Sequence, residues 1–152
     1  MATNRRILLS EIPTGKLTEE HFTQDEIELT SPGDGEVLVR TLILSQDAAN
    51  RAWMQGATYR SALSSGQVMS SGGIAEVVES NVDRFKVGQI VSGDLGWQEY
   101  AVIPGHQLTP VKDHDGPLSH SLSLLGVAGL TAYHGLINVP GIHAGEVLLV
   151  SA

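Results

Sequence analysis

The chain has 152 residues, 41% apolar and 17% charged, which is enough for a domain with a real core and too apolar for a disordered chain. Its net charge of −8, with no basic block, argues against a nucleic-acid or anionic-membrane partner. The absence of cysteine removes disulfides, thiolate zinc sites and Cys nucleophiles together, and suits a reducing, cytoplasmic setting.

The N-terminal "MATNRRILLSEIPTG" carries two arginines, and its apolar run is too short for a signal peptide. Residues 5–10 read as a first strand, closed by "EIPTGK", whose Pro and Gly punctuate a turn. A second strand follows over 22–30, then the turn "SPGDGE", then a β-branched and Leu-rich strand over 37–45. Residues 46–54, Ala-rich and with Asp47 as N-cap, predict a short helix. A Ser/Gly-rich loop covers 61–73, and four strands follow over 74–80, 89–93, 98–104 and 107–112.

After "DHDGP" the character changes. Residues 118–139 have helical length and composition, in two helices split near 126–129. The apolar stretch 122–142 holds Thr131, Tyr133, His134, Asn138 and Pro140, so it reads as buried globular structure and not as a membrane span. "PGIHAG" then turns the chain into Val147, Leu148, Leu149 and Val150, an unbroken run of the kind found in strands buried on both faces. The order is many short strands, then helices, then one buried strand. It predicts a mainly β domain over 1–115, connecting helices over 116–144, and over 145–152 the first strand of an α/β domain whose remainder is not in these residues.

Several segments resemble one family. "FKVGQIV" (85–91) is similar to the turn and strand of GroES-like domains in medium-chain dehydrogenases/reductases, and "LGVAGLTAYHGL" (125–136) to their crossing into the cofactor domain. "LILSQDAANRAWM", "GQVMSSGGIAEVVES" and "GWQEYAV" resemble the zinc-free branch, which includes prostaglandin and leukotriene reductases and bacterial curcumin and alkenal reductases. The resemblance runs in order along nearly the whole chain. It implies a GroES-like β-barrel and, in "GEVLLVSA", the first strand of a Rossmann domain. It implies NADP as cofactor, and an enone or aldehyde as small-molecule substrate. The main cofactor site would follow that strand, so these residues alone are expected to be inactive. The rival reading is a non-catalytic binding or assembly module built on the barrel, against which the unpaired apolar strand argues.

The resemblance also nominates residues. Zinc-bearing relatives place a Cys near "SQDAANR" and a Gly-His-Glu near "GQVMSSG", whereas this chain has Asp47 there, and Gln67 and Val68. No metal is therefore expected, and the six histidines have no HxxxH or HxH pairing. Thr131 in "GLTAY" corresponds to a threonine beside the nicotinamide; alternatively it back-bonds within a helix. Asp47 and Arg51 survive from a family Asp-Pro-Tyr-Met-Arg stretch whose tyrosine is missing here, and they either shape the substrate pocket or form an i,i+4 ion pair. Asp94, Leu95 and Trp97 are placed at the substrate mouth by the same resemblance. No Ser/His/Asp or carboxylate pair has catalytic spacing. The terminal apolar strand is expected to pair with its copy in a second chain, giving a homodimer.

Overall fold

A computed structural model describes residues 2–139 and 141–151. It divides into two compact units, Met1–Asp113 and His114–Ala152.

The first unit is almost entirely antiparallel β. A two-stranded sheet pairs β1 (Thr3–Leu9) with β2 (Phe22–Glu28). A five-stranded sheet holds β3 (Glu36–Leu44), β4 (Gly72–Ser80), β5 (Ile90–Asp94), β6 (Tyr100–Pro104) and β7 (Thr109–Pro110), in the order β6-β3-β4-β5-β7. The segment 96–99, which leads into β6, joins the two sheets. Ile7 N donates to Trp97 O at 2.8 Å, and Glu99 N to Arg5 O at 3.0 Å. No continuous ladder closes these sheets into a barrel among the described residues; the link is reduced to single bridges, Arg6 with Gln98 and Leu8 with Val68.

The pattern of β-branched and Leu residues explains which face is buried. Val37 and Val39 alternate inward along β3, and with Ala75, Val77, Phe85, Val91 and Leu95 they form the main core. Each of these side chains larger than Ala75 contributes about 1.5–3 kcal/mol. A second cluster gathers Leu9, Trp53, Met54, Leu63 and Met69. Trp53 and Met54 come from α1 (Ala48–Gln55), which starts where expected because the Asp47 carboxylate accepts from Ala49 N at 2.7 Å.

The pairing of β3 with β4 shifts register between Thr41 and Ile43, and there Gly73 meets the partner strand closely. A Cβ on Gly73 would lie 2.6 Å from Ile43 O and 2.7 Å from Leu95 Cδ1. Only glycine fits.

The second unit departs most from expectation. Instead of two regular helices, it has a 3₁₀ turn (Leu118–Ser121) and α2 (Val127–Tyr133), which runs on into a π-type turn (His134–Asn138). The expected break narrows to Gly126, the residue before α2, while Gly129 falls inside the helix; the chain doubles back there, and a Cβ on Gly129 would sit 1.7 Å from Leu124 O. The predicted strand over 147–150 does not form. These residues make no backbone ladder among the described residues, and Val147 and Leu149 are 97% and 91% exposed. A strand of this kind needs a neighbour on each side, and this unit supplies none. The expectation that 122–142 is buried fails for a related reason. Val127, Leu130, Tyr133 and Val139 are exposed, since a stretch of about 40 residues is too short to enclose its own core. Pro140 and Ala152 lie outside the described residues.

Candidate functional site

Two of the clefts on the first unit share Arg6 in their lining. The smaller, about 330 Å³, is lined by Leu44, Gln46, Trp97 and Gln98 among others. Trp97 is half-buried, stacks on Phe22 with ring centroids 5.5 Å apart, and has an indole N–H without a partner among the described residues. The larger, about 780 Å³, is lined by residues 60–63 and 66–70 in part, including Arg60, Gln67, Val68 and Ser70.

Local bonding explains how the loops around the larger cleft are fixed. Asn50 on α1 is buried; its Oδ1 accepts from Asp47 N at 2.8 Å, and its Nδ2 donates to Ser70 O at 2.8 Å. Leu63 N donates to Trp53 O at 2.9 Å, which ties the chain after α1 back to the helix. Arg60 sits over Trp53, its Cζ 4.4 Å from the ring centroid, and its Nη2 pairs with the Asp94 carboxylate.

The residues nominated from sequence end in different places. Asp94, at the end of β5, holds Arg60 beside the larger cleft. Trp97 lines the smaller one. Leu95 is 1% exposed and belongs to the main core. Asp47 and Arg51 line neither cleft and make no ion pair with each other. Asp47 is engaged as a helix cap, and Arg51 donates to Pro13 O at 3.2 Å and Gly15 O at 2.8 Å, pinning the turn before β2 to α1. Their i,i+4 spacing is real, but the cap and the two carbonyls compete for both side chains. Thr131, in the second unit, donates its hydroxyl proton to Val127 O at 2.7 Å. Because that hydroxyl is exposed, its lone pairs stay available to accept.

Sequence reading missed Arg6 and Arg60. Neither belongs to a motif; the only available signal was their scarcity in a chain with 9 Lys and Arg against 17 Asp and Glu. Arg6 forms a two-pronged pair with Asp25 across β1 and β2, with Nε to Oδ1 at 2.9 Å. That hydrogen bond lowers the Asp25 pKa, and Arg5 lowers that of Glu99 in the same way. A carboxylate depressed on folding stabilises above its unfolded pKa, and the contribution is lost as pH falls through the folded value. The β1–β2 sheet should therefore lose stability below about pH 4, the ordinary carboxylate range. Asp25→Asn should flatten the acid limb of the melting-temperature profile. An unchanged acid limb would mean that the pair contributes nothing.

Among the described residues, no group of three or more His, Cys, Asp or Glu side chains is placed to hold a metal ion. Nor is any helix there long and apolar enough to cross a membrane.

The family pattern described as the N-terminal domain of oxidoreductase matches residues 5–111. The chain belongs to this family. It is 39% identical over 150 residues to the NADPH-dependent curcumin reductase of Escherichia coli, covering 98% of this chain and 44% of that protein. It is 34% identical over 156 residues to the NADP-dependent 2-alkenal reductase of Nicotiana tabacum, covering 99% of this chain and 46% of that one. The crystal structure of CurA from Vibrio vulnificus in complex with NADPH superimposes with a TM-score of 0.80 at 32% identity, covering 93% of this chain and 42% of that one. The chain thus spans less than half the length of the relatives it matches. The resemblance seen in the motifs is to the right family.

Proposed function

We propose that these residues are the substrate-side part of an NADPH-dependent reductase acting on the C=C bond of α,β-unsaturated ketones or aldehydes. The observation that carries this reading is the alignment of nearly the entire chain with curcumin and alkenal reductases, in register and with shared architecture. In this reading the first unit has the GroES-like role, and 147–150 become the first strand of a cofactor domain. NADPH would supply the hydride, which goes to the β-carbon of the substrate. The fit of this chain to the cofactor is limited to one group. Thr131 has spent its proton on Val127 O, so its hydroxyl can accept from the nicotinamide carboxamide and fix the ring's orientation. Asp94, Trp97 and the buried Leu95 behind them shape the substrate wall, with Asp47 and Arg51 holding the loops that border it. Water exclusion by that wall strengthens the hydrogen bonds that stabilise the developing enolate oxygen. The protein works in the cytoplasm, and these residues taken without the cofactor domain pair two-fold through 147–150.

The test uses this chain joined to the cofactor-binding remainder of the E. coli relative. It should oxidise NADPH in the presence of an enone and leave simple alcohols untouched, since Asp47, Gln67 and Val68 stand where zinc-bearing relatives place ligands that would polarise an alcohol oxygen. Efficient alcohol oxidation would contradict the reading. The 152 residues by themselves should bind NADPH no tighter than about 1 mM, roughly −4 kcal/mol, because the pyrophosphate-binding turn is not among them.

A further inference from the structure

Where the two sheets of the first unit meet, a side chain stands in for a strand. Ile7 N donates to Trp97 O at 2.8 Å, Glu99 N donates to Arg5 O at 3.0 Å, and Arg6 bridges Gln98. Continued by one step, this antiparallel register sets Asn4 opposite Tyr100. No backbone pair forms there among the described residues. The Asn4 amide makes both bonds instead: its Oδ1 accepts from Tyr100 N at 2.9 Å, and its Nδ2 donates to Tyr100 O at 2.9 Å. Tyr100 has no alternative on its other side. Thr41 N on β3 donates to Glu99 O, and bonds alternate along such a ladder, so Tyr100, opposite Arg40, turns both groups away from β3. Asn4 is 5% exposed, so losing this amide would leave polar groups unpaired where water does not reach them.

The same amide reaches further along the chain. Asn4 Nδ2 also donates to Gln98 Oε1 at 3.2 Å, and Gln98 Nε2 donates to Leu95 O at 2.7 Å. Asn4 thus grips the segment 95–100 at Tyr100 directly and at Leu95 through Gln98. Trp97 lies between these two points, half-buried, stacked on Phe22 and lining the smaller cleft. Asn4 is not in the lining of that cleft. We propose that Asn4 is a positioning residue, which fixes the Trp97 indole in the cleft wall and so tunes the discrimination among enones by size. That Trp97 borders the substrate rests on the reductase reading above. A misplacement of about 1 Å caused from outside the reacting centre can cost about a hundredfold in rate, so a joint behind the wall is enough.

The experiment has two arms. The 152-residue chain labelled with 5-fluorotryptophan should give two fluorine signals, from Trp53 and Trp97, which Trp53→Phe assigns. Asn4→Leu keeps the volume and loses the amide; it should move or broaden the Trp97 signal and leave that of Trp53 in place. Gln98→Met cuts the link to Leu95 and should move the same signal, and the double variant should add little, because both side chains act in one chain of bonds. In the protein joined to the cofactor half of the E. coli relative, Asn4→Leu should change the ratio of kcat/KM for pent-3-en-2-one over 4-phenylbut-3-en-2-one by at least about fivefold, through KM more than kcat. Thermal melts identify the folded variants. A lowered melting temperature with an unmoved Trp97 signal makes Asn4 structural only and overturns the proposal, and so does a moved signal with an unchanged ratio. Should Asn4→Leu not fold, Gln98→Met, which leaves both Tyr100 bonds intact, decides by the Trp97 signal. Failure of the reductase reading is separate: it would appear as absent enone reduction in the unsubstituted joined protein, on which the fluorine signals do not depend.

Discussion

Gly73→Ala is expected to lower the melting temperature of the first unit by 10 °C or more, about 3 kcal/mol for a domain of this size. The new methyl would stand 2.6 Å from Ile43 O and 2.7 Å from Leu95 Cδ1, so it cannot enter without moving the partner strand or the core. The backbone is the stiffer of the two, because Ser45 N donates to Gly72 O at 2.9 Å and Ser71 Oγ to Ser45 O at 2.5 Å on the same stretch. Leu95 must then leave its rotamer in a core that it shares with Val91, Ala101 and Leu108. Gly72→Ala is the control. Its methyl would meet only Gly93 O, at 4.0 Å, and should change the melting temperature by no more than about 2 °C. If the two variants melt together, packing at Gly73 is not what fixes the β3–β4 register.

Removing residues 143–152 is expected to abolish self-association of the chain. Val147, Leu149 and Val150 are 97%, 91% and 78% exposed and have no ladder partner among the described residues. An exposed apolar run with free N–H and C=O groups pairs most readily with its own copy. Burying these side chains could stabilise a two-fold pair by about 1.5–3 kcal/mol each before the cost of ordering and association. Light scattering of the whole chain should show a mass that rises with concentration, and the chain ending at Ile142 should stay monomeric. Two monomers of unchanged mass would refute pairing through this segment.

The strands of the first unit were legible because they need only local signals. Val37 and Val39 alternate on β3, and Asp47 precedes an Ala pair on α1; both signals were met within a few residues. The second unit was less legible because its elements need partners the residues do not contain. "VLLV" has the composition of a buried strand, yet composition forms no ladder, and the run lies exposed. The path of 124–129 depends on Leu124 O approaching Gly129, a local backbone turn that the residue types do not announce. The candidate site divides along similar lines. Trp97 and Asp94 could be nominated from a family segment, but Arg60 could not. Its place follows from Trp53, Asp94 and the turn after α1 closing together, three groups spread over some forty residues of sequence. Arg51 shows the opposite failure: helical spacing suggested Asp47 as its partner, and the carbonyls of Pro13 and Gly15 hold it instead.

The proposed role of these residues is a part in hydride delivery to an enone β-carbon. It is tested most directly by isotope transfer in the protein made by joining these residues to the cofactor half of the E. coli relative. With NADPH carrying deuterium at the transferable position and pent-3-en-2-one as substrate, the product should be the saturated ketone with one deuterium on the former β-carbon. The α-carbon should take its proton from water. Deuterium on the carbonyl carbon, in an alcohol product, would contradict the account, and so would NADPH bound without any transfer.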